Sequence, residues 1–584
     1  MDQIVYDMSS QSEAEPNIFI KKDWISILDN QNGVYSSNQA VIDTSQLSNS
    51  NKYMNYREGY FTIPMLLTLT QASNSVNFIP QAVANSCDYA LSLKNWYGSI
   101  IHSISVDLAG TTIIQQTPFQ SLWNNFRLMT TLSYQDLLTI GPSIGFYPDN
   151  SASWAYTPNS MVGNPSVNIS GIGVTNNNNF FTTPVVSGAF NSMEITNNGM
   201  YQRQKAWNFN PLGYTGASST VSNQFLGLLT ATNVNLVYKS SVLPPVSGTT
   251  LVRGYWQAQI VGTVLLRHLH SFFDKMPLCK GVFMKITMNL NNTVVNNSVL
   301  GIAASPLSTQ SQTLSGCSFP MGGINPIMFA SGAASNGMAT VIPTATTVSL
   351  FASIYVGSKC YETNAVAANA TSGYVNNLTL NVPSYTFNPV YEQAYLSNPV
   401  RKIDYSDIYQ YQALGVKASN TFNQLVTNGI AGIKSVLVLP FHSAVAAVNN
   451  TISPLQSCFD PAGGGTTSPL SILSNFNVVI SGQNAIYNSE RYSYEQFLNQ
   501  LIGQNGVNGN QLDGVSSGLV SQFDFENSYN YYFVNVERCL PIEKGVSKSV
   551  SITGTNVNAV DLDLYIFVEY GVSIQLNLLT GGRV

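Results

Sequence analysis

The residue types able to do chemistry are sparse in this sequence. His268 and His270 flank a leucine, and Cys279 follows close behind. On a strand, residues i and i+2 share a face, so the two imidazoles could converge with the thiolate on a metal such as zinc. No Cys or His pair at finger-like spacing accompanies them, and the chain has only 4 histidines. Two polar residues on one strand face are the simpler account. Asp561-Leu-Asp563 has the same geometry and fits a solvated strand face at least as well. Gly463-Gly464-Gly465 lacks the Lys-Ser/Thr and the helix of a phosphate loop. No G-x-S-x-G elbow occurs, and His442 has no neighbour suggesting a nucleophile–base arrangement. The expectation is no catalytic residue, no metal ligand and no cofactor: a structural protein, not an enzyme.

Composition points the same way. Hydrophobic residues make up 44% of the 584 and aromatics 11%, enough for sizeable cores, while charged residues are only 9%. Typical soluble domains carry roughly 25% charge. Here Asn, Ser, Thr, Gln and Gly take the polar role. Such a surface packs against copies of itself at little desolvation cost, which favours a dense assembly. The net charge of −5 comes with no run of Lys or Arg, against direct nucleic-acid binding by counterion displacement. No stretch approaches 18 consecutive apolar residues, so no membrane-spanning helix is expected. The N-terminus is acidic and polar, unlike a secretory signal. Cys87, Cys279, Cys317, Cys360, Cys458 and Cys539 are irregularly spaced, which reads as free, mostly buried thiols in a reducing compartment.

The elements that would position any site occur twice. Val106 to Ile114 alternates around Gly110 and leads into a helical stripe of Phe119, Leu122, Trp123 and Phe126. Val478 to Ile486 alternates around Gly482 and leads into Tyr494, Phe497, Leu498 and Leu501. Each reads as strand, tight reversal, strand and amphipathic helix. A second marker follows in the same order: Pro277, Lys280, Gly281 and Val282 match Pro541, Lys544, Gly545 and Val546, with Ile286/Val550 and Met288/Ile552 in one strand phase. Two ordered matches argue for a duplicated β-domain.

The chain then divides into a polar arm at 1–56, holding one short amphipathic piece (Ile18 to Leu28), a first β-domain at 57–394 and a second at 395–584. Gly110 to Pro277 spans 167 residues and Gly482 to Pro541 spans 59. A loop insertion of about that difference, near 143–250, explains the excess, and a second large loop falls near 293–345. The first helix is expected to run on until Gly141-Pro142 stops it, and Tyr255 to Phe272 reads as a long strand. Ile433 to Phe441 is a near-continuous apolar run, as in a strand covered on both faces. Many short strands with few helices indicate an all-β sandwich or jelly roll.

In segment order the chain resembles the double jelly-roll major capsid proteins of polinton-like viruses, virophages and polintons, from about residue 57 onward. Ile100 to Ser133 with Ile144 to Asp149, Leu380 to Gln412, and Val534 to Asn556 with the closing Asp561 to Gly571 carry the resemblance. It implies two tandem eight-stranded antiparallel jelly rolls with long loop insertions and a few short helices. It also implies a homotrimeric capsomer of pseudo-hexagonal outline, neighbouring capsomers tiling an icosahedral shell, a single jelly-roll penton protein, and minor or cement capsid proteins as further partners. Assembly inside a host cell and residence in the virion follow from it. The ending Leu579 to Val584 resembles the aliphatic-x-Gly-Gly sites cut by adenovirus-type maturation proteases, though a flexible tail at Gly581-Gly582 is the simpler reading. The alternatives are a virion spike or carbohydrate-binding β-sandwich, which would place exposed aromatics and carboxylates on one domain only, and a β-sandwich hydrolase, which would need an acid/base pair not visible here.

Overall fold

The computed structural model describes residues 17–35, 37–47, 51–71, 89–90, 96–148, 237–242, 252–291, 293–300, 311–315, 328–329, 347–357, 377–442, 472–486, 491–502, 517–527, 529, 531–536, 545–558, 561–580 and 582–583. Eight strands build a first unit: β1 (Phe19–Leu28), β2 (Gln39–Asp43), β3 (Tyr60–Gln71), β4 (Ile101–Leu108), β5 (Thr111–Ile114), β6 (Val252–Leu265), β7 (Met284–Leu290) and β8 (Thr379–Phe387). Eight more build a second: β9 (Val400–Val416), β10 (Thr421–Ile430), β11 (Ile433–His442), β12 (Leu473–Ile480), β13 (Gln483–Asn484), β14 (Tyr532–Asn535), β15 (Lys548–Asn556) and β16 (Leu562–Asn577).

Pairing in both units is antiparallel. In the first, one sheet runs β1-β8-β3-β6 and the other β2-β7-β4-β5. In the second, the sheets run β9-β16-β11-β14 and β10-β15-β12-β13. Counted from one to eight within each unit, both read 1-8-3-6 and 2-7-4-5. That nested order is a jelly roll, and the chain carries it twice.

The repeated sequence markers sit at equivalent places. Ala109 and Gly110 join β4 to β5 with φ of 47° and 83°, and Ser481 and Gly482 join β12 to β13 with 49° and 82°. Two successive positive φ values make the reversed turn that suits a two-residue hairpin. Gly281 and Gly545 also have positive φ, just before β7 and β15. Register refines the alignment. Ile286 opposes Val106, whereas Val478 opposes Ile552, so Ile286 corresponds to Ile552 and not to Val550. A slip of two residues keeps the inward face, which is why both Val550 and Ile552 are fully buried.

Three expectations need correction. The supposed arm at 1–56 contributes β1 and β2, paired along β8 and β7. Exposed Trp24 and Leu28 beside buried Ile27 blurred the alternation there. The first helix is two: α1 (Gln120–Thr131) and α2 (Tyr134–Ile144). Ser133 caps α2, its hydroxyl and backbone reciprocally bonded with Asp136, and the helix contains Pro142 and ends at left-handed Gly145. Third, the expected loop near 293–345 includes strands Thr293–Leu300, Ser311–Ser315 and Met328–Phe329. Thr293–Leu300 joins the first sheet through Thr347–Val356, which pairs with the far half of β3. Val237–Val242, inside the other expected insertion, pairs with β6. Among the described residues the remaining α-helices are α3 (Leu266–Leu269), α4 (Ser271–Lys275), α5 (Pro389–Leu396) between the rolls, α6 (Tyr494–Ile502) and α7 (Gln522–Asn527). Among the described residues no helix is long and apolar enough to cross a membrane.

The two rolls meet through α1. Phe119 lies 5.1 Å from Tyr565, Trp123 6.2 Å from Phe567, and Phe126 stacks on Phe533 at 5.3 Å. Residues 436–439 of β11, between β16 and β14 in the same sheet, are buried on both faces. At the end of α1, Leu519 N donates to Met129 O at 2.8 Å, and Gly518 has φ +66° with space for no Cβ, which would lie 2.5 Å from Met129 O. We expect Trp123→Ala to cost about 3–5 kcal/mol, as for other buried Trp truncations, and Gly518→Ala to lower the urea midpoint at an unchanged m value. Wild-type midpoints for both variants would refute this packing.

Candidate functional site

The candidate metal trio weighed and set aside in the sequence, His268, His270 and Cys279, does not assemble. β6 stops at Leu265, and the chain turns through α3 and α4, so His268 and His270 share no strand face. His268 lies edge-on to Trp96 at 6.3 Å. Burial pushes its pKa down to about 3, with Arg267 and Arg127 adding to the effect. His270 Nδ1 accepts from Phe272 N at 3.2 Å, which leaves the proton on Nε2 to donate to Asp407 Oδ1 at 3.3 Å. Cys279 is free and buried, donates to Pro277 O, and has its thiol pushed up to about 12 by burial. Among the described residues no group of three or more His, Cys, Asp or Glu could hold a metal ion.

The other candidates are structural. Asp561 pairs with Lys417 at 2.7 Å and accepts from Ala418 N, while Asp563 accepts from Gly415 N, so both tie down the connection after β9. The ammonium of Lys417 holds the Asp561 carboxyl below its usual range. His442 ends β11 opposite Leu562. Gly463 to Gly465, Gly581 and the five remaining cysteines fall outside the described residues. The C-terminus is folded back, contrary to the expectation of a flexible tail: Asn577 N donates to Gly582 O at 3.0 Å and Arg583 bridges to Leu576.

What the sequence did not reveal is how polar groups bind roll to roll. Tyr405 OH donates to Ile113 O at 2.7 Å, and Thr117 Oγ1 donates to Ile408 O at 2.9 Å. Ser271 Oγ donates to Ser406 O and accepts from Ser406 N. Lys280 N donates to Leu578 O, joining the first roll to the end of β16. With the buried His270–Asp407 pair, these bonds fix where β9 lies against α4 and the α1 region. The partners are remote in sequence, so no local spacing announces them.

The outer flank of the first roll has a different character. β1 is an edge strand whose one partner among the described strands is β8. It exposes Ile20 (65%), Trp24 (52%) and Leu28 (54%). Lys22 bonds Glu58 at 2.6 Å and lies 5.5 Å from the Trp24 ring and 5.2 Å from that of Tyr385. Tyr385 OH donates to Glu58, and Tyr60 lies 5.6 Å from Trp24. Exposed Ile20, Trp24 and Leu28 on an edge strand invite contact with another surface.

Burial of neutral His268 gives a pH signature. Above the unfolded value near 6.5 neither state takes the proton; between there and about 3 the unfolded chain binds one that the folded ring refuses. Stability therefore falls as the pH drops through that window. In urea titrations at pH 7.5 and 5, His268→Gln is expected to lose less stability on acidification than wild type. Equal losses would remove His268 as the cause.

No family model matches the chain, and no curated protein does. Among solved structures it is similar to a chain of the Sputnik virophage, at 12% identity and TM-score 0.48, covering 98% of this chain and 90% of that one. It is also similar to the Faustovirus major capsid protein, at 10% and 0.42, covering 97% and 94%. The mavirus major capsid protein matches at 9% and 0.41, covering 99% and 92%. The fold stands on the chain's own strand order, two tandem jelly rolls.

Proposed function

We propose that the chain is a major capsid protein, acting through its surfaces and not through catalysis. The observation that carries this reading is one nested strand order occurring twice in a single chain. Two like sandwiches fused side by side give a rigid block, and three such blocks around a three-fold axis place six rolls in a near-hexagonal ring. Each contact in that ring joins one patch to a different patch on the next chain, and the ring closes. The low charge of the chain, at 9%, suits close packing of copies. Its partners are two further copies in a homotrimeric capsomer, neighbouring capsomers in an icosahedral virion shell, a single jelly-roll penton protein, and minor or cement capsid proteins. In this reading the open flank at β1 is a contact between copies.

A second reading has its own support: Trp24, Tyr60 and Tyr385 beside Glu58, on the first roll, resemble an aromatic platform for a glycan. Light scattering with negative-stain imaging separates the two. With a chain mass of 63.3 kDa, three copies make 189.9 kDa, and the capsid reading predicts that mass with a hexagonal outline. Trp24→Ala, at a half-exposed position, should keep its fold and weaken the trimer about tenfold, the loss expected of an interface anchor. A stable monomer whose glycan binding disappears in Trp24→Ala would overturn the capsid reading in favour of the second.

A further inference from the structure

A cavity of about 320 Å³ lies at the junction of the rolls, between α1, α4 and the strands β9 and β16. Trp123 and Phe126 form its apolar wall, and Arg127, Lys275, Asp274 and Glu569 bring charge to it. The carboxylates already have partners. Arg57 Nε sits 3.1 Å from Asp274, and Ser435 Oγ donates to Glu569 at 2.6 Å. The hydroxyls are also committed as donors: Thr130 to Phe126 O, Thr131 to Arg127 O and Ser271 to Ser406 O. Behind the wall Asp407 accepts from His270 Nε2 and from Ile408 N.

Arg127 differs from all of these. Its guanidinium makes no hydrogen bond or ion pair among the described residues, although desolvation disfavours its charge and the fields of Glu569 and Asp274 favour it. Lys275 stands at the mouth, 60% exposed and 3.9 Å from Asp274. A half-buried planar fork with five donors and no acceptor in contact is the arrangement that takes up a carboxylate or phosphate. A ligand-sized cavity next to it supplies the room.

We propose that this inter-roll cavity binds a small multivalent oxyanion, a phosphate or a polycarboxylate, held by Arg127 and steered in by Lys275. The ligand would bridge α1 of the first roll and the strands of the second, so its binding would stiffen the junction. This goes beyond a capsid role and does not depend on it.

The test is calorimetric titration of the purified full chain with inorganic phosphate and, separately, with citrate, against sodium chloride at matched ionic strength. Saturable heat with either anion, and none with chloride, is expected, and the better of the two identifies the chemistry. Arg127→Met should weaken binding at least about tenfold, since charge-assisted hydrogen bonds are lost. Lys275→Gln, at an exposed position that folding tolerates, should weaken it several-fold, and Lys417→Gln, remote from the cavity, should leave it unchanged. No saturable heat from either anion, or equal affinity in wild type and Lys275→Gln together with a folded Arg127→Met, would overturn the assignment.

Discussion

The structure depends on the centre of one sheet being buried on both faces. β9-β16-β11-β14 covers its own roll's second sheet on one side and receives α1 of the other roll on the opposite side. A strand in that position cannot alternate polar with apolar, and β11 does not: Val436, Leu437, Val438 and Leu439 are all buried. The same condition places Tyr565 and Phe567 beside Ile566 and Val568 in β16 without a polar residue between them. Each of those outward aromatics would be a liability on a free roll and is a contact on a joined one. The rolls are therefore one body, and the sandwich of the second is complete only with the helix of the first.

Much of this was legible. Gly110 and Gly482 were readable because a two-residue reversed turn needs positive φ, and glycine is the residue that adopts it without strain. The run from Ile433 to Phe441 declared a doubly covered strand by its lack of alternation. The failures have equally physical causes. β1 hid in the arm because its outward residues, Ile20, Trp24 and Leu28, are as apolar as its inward ones. His268 and His270 were placed on a strand because the apolar pattern of β6 runs on past Leu265, although the chain there turns into α3. The break between α1 and α2 was marked by Ser133 and Asp136, a capping signal inside what the apolar period alone read as one helix. The polar bonds between rolls, such as Tyr405 to Ile113, join residues hundreds apart and leave no local trace.

Charge is placed with economy. The polar contacts at the junction are mainly hydroxyls and backbone groups, which lose little on leaving water once they are bonded. The few buried ionisable groups are held in one state or matched, as His268 is kept neutral and His270 donates to Asp407. Arg127 stands apart from that pattern, and the cavity beside it is where the junction remains open to a further molecule. Over the whole sequence charged residues are only 9%, so few charges must be desolvated where the chain packs against another surface.

The central claim, that the two rolls form one cooperative body through α1, is tested most directly by differential scanning calorimetry of the intact chain. The account predicts a single transition whose calorimetric and van't Hoff enthalpies agree per cooperative unit. Two separated transitions, with Trp123→Ala displacing only the one belonging to the first roll, would show that each roll folds on its own and contradict it.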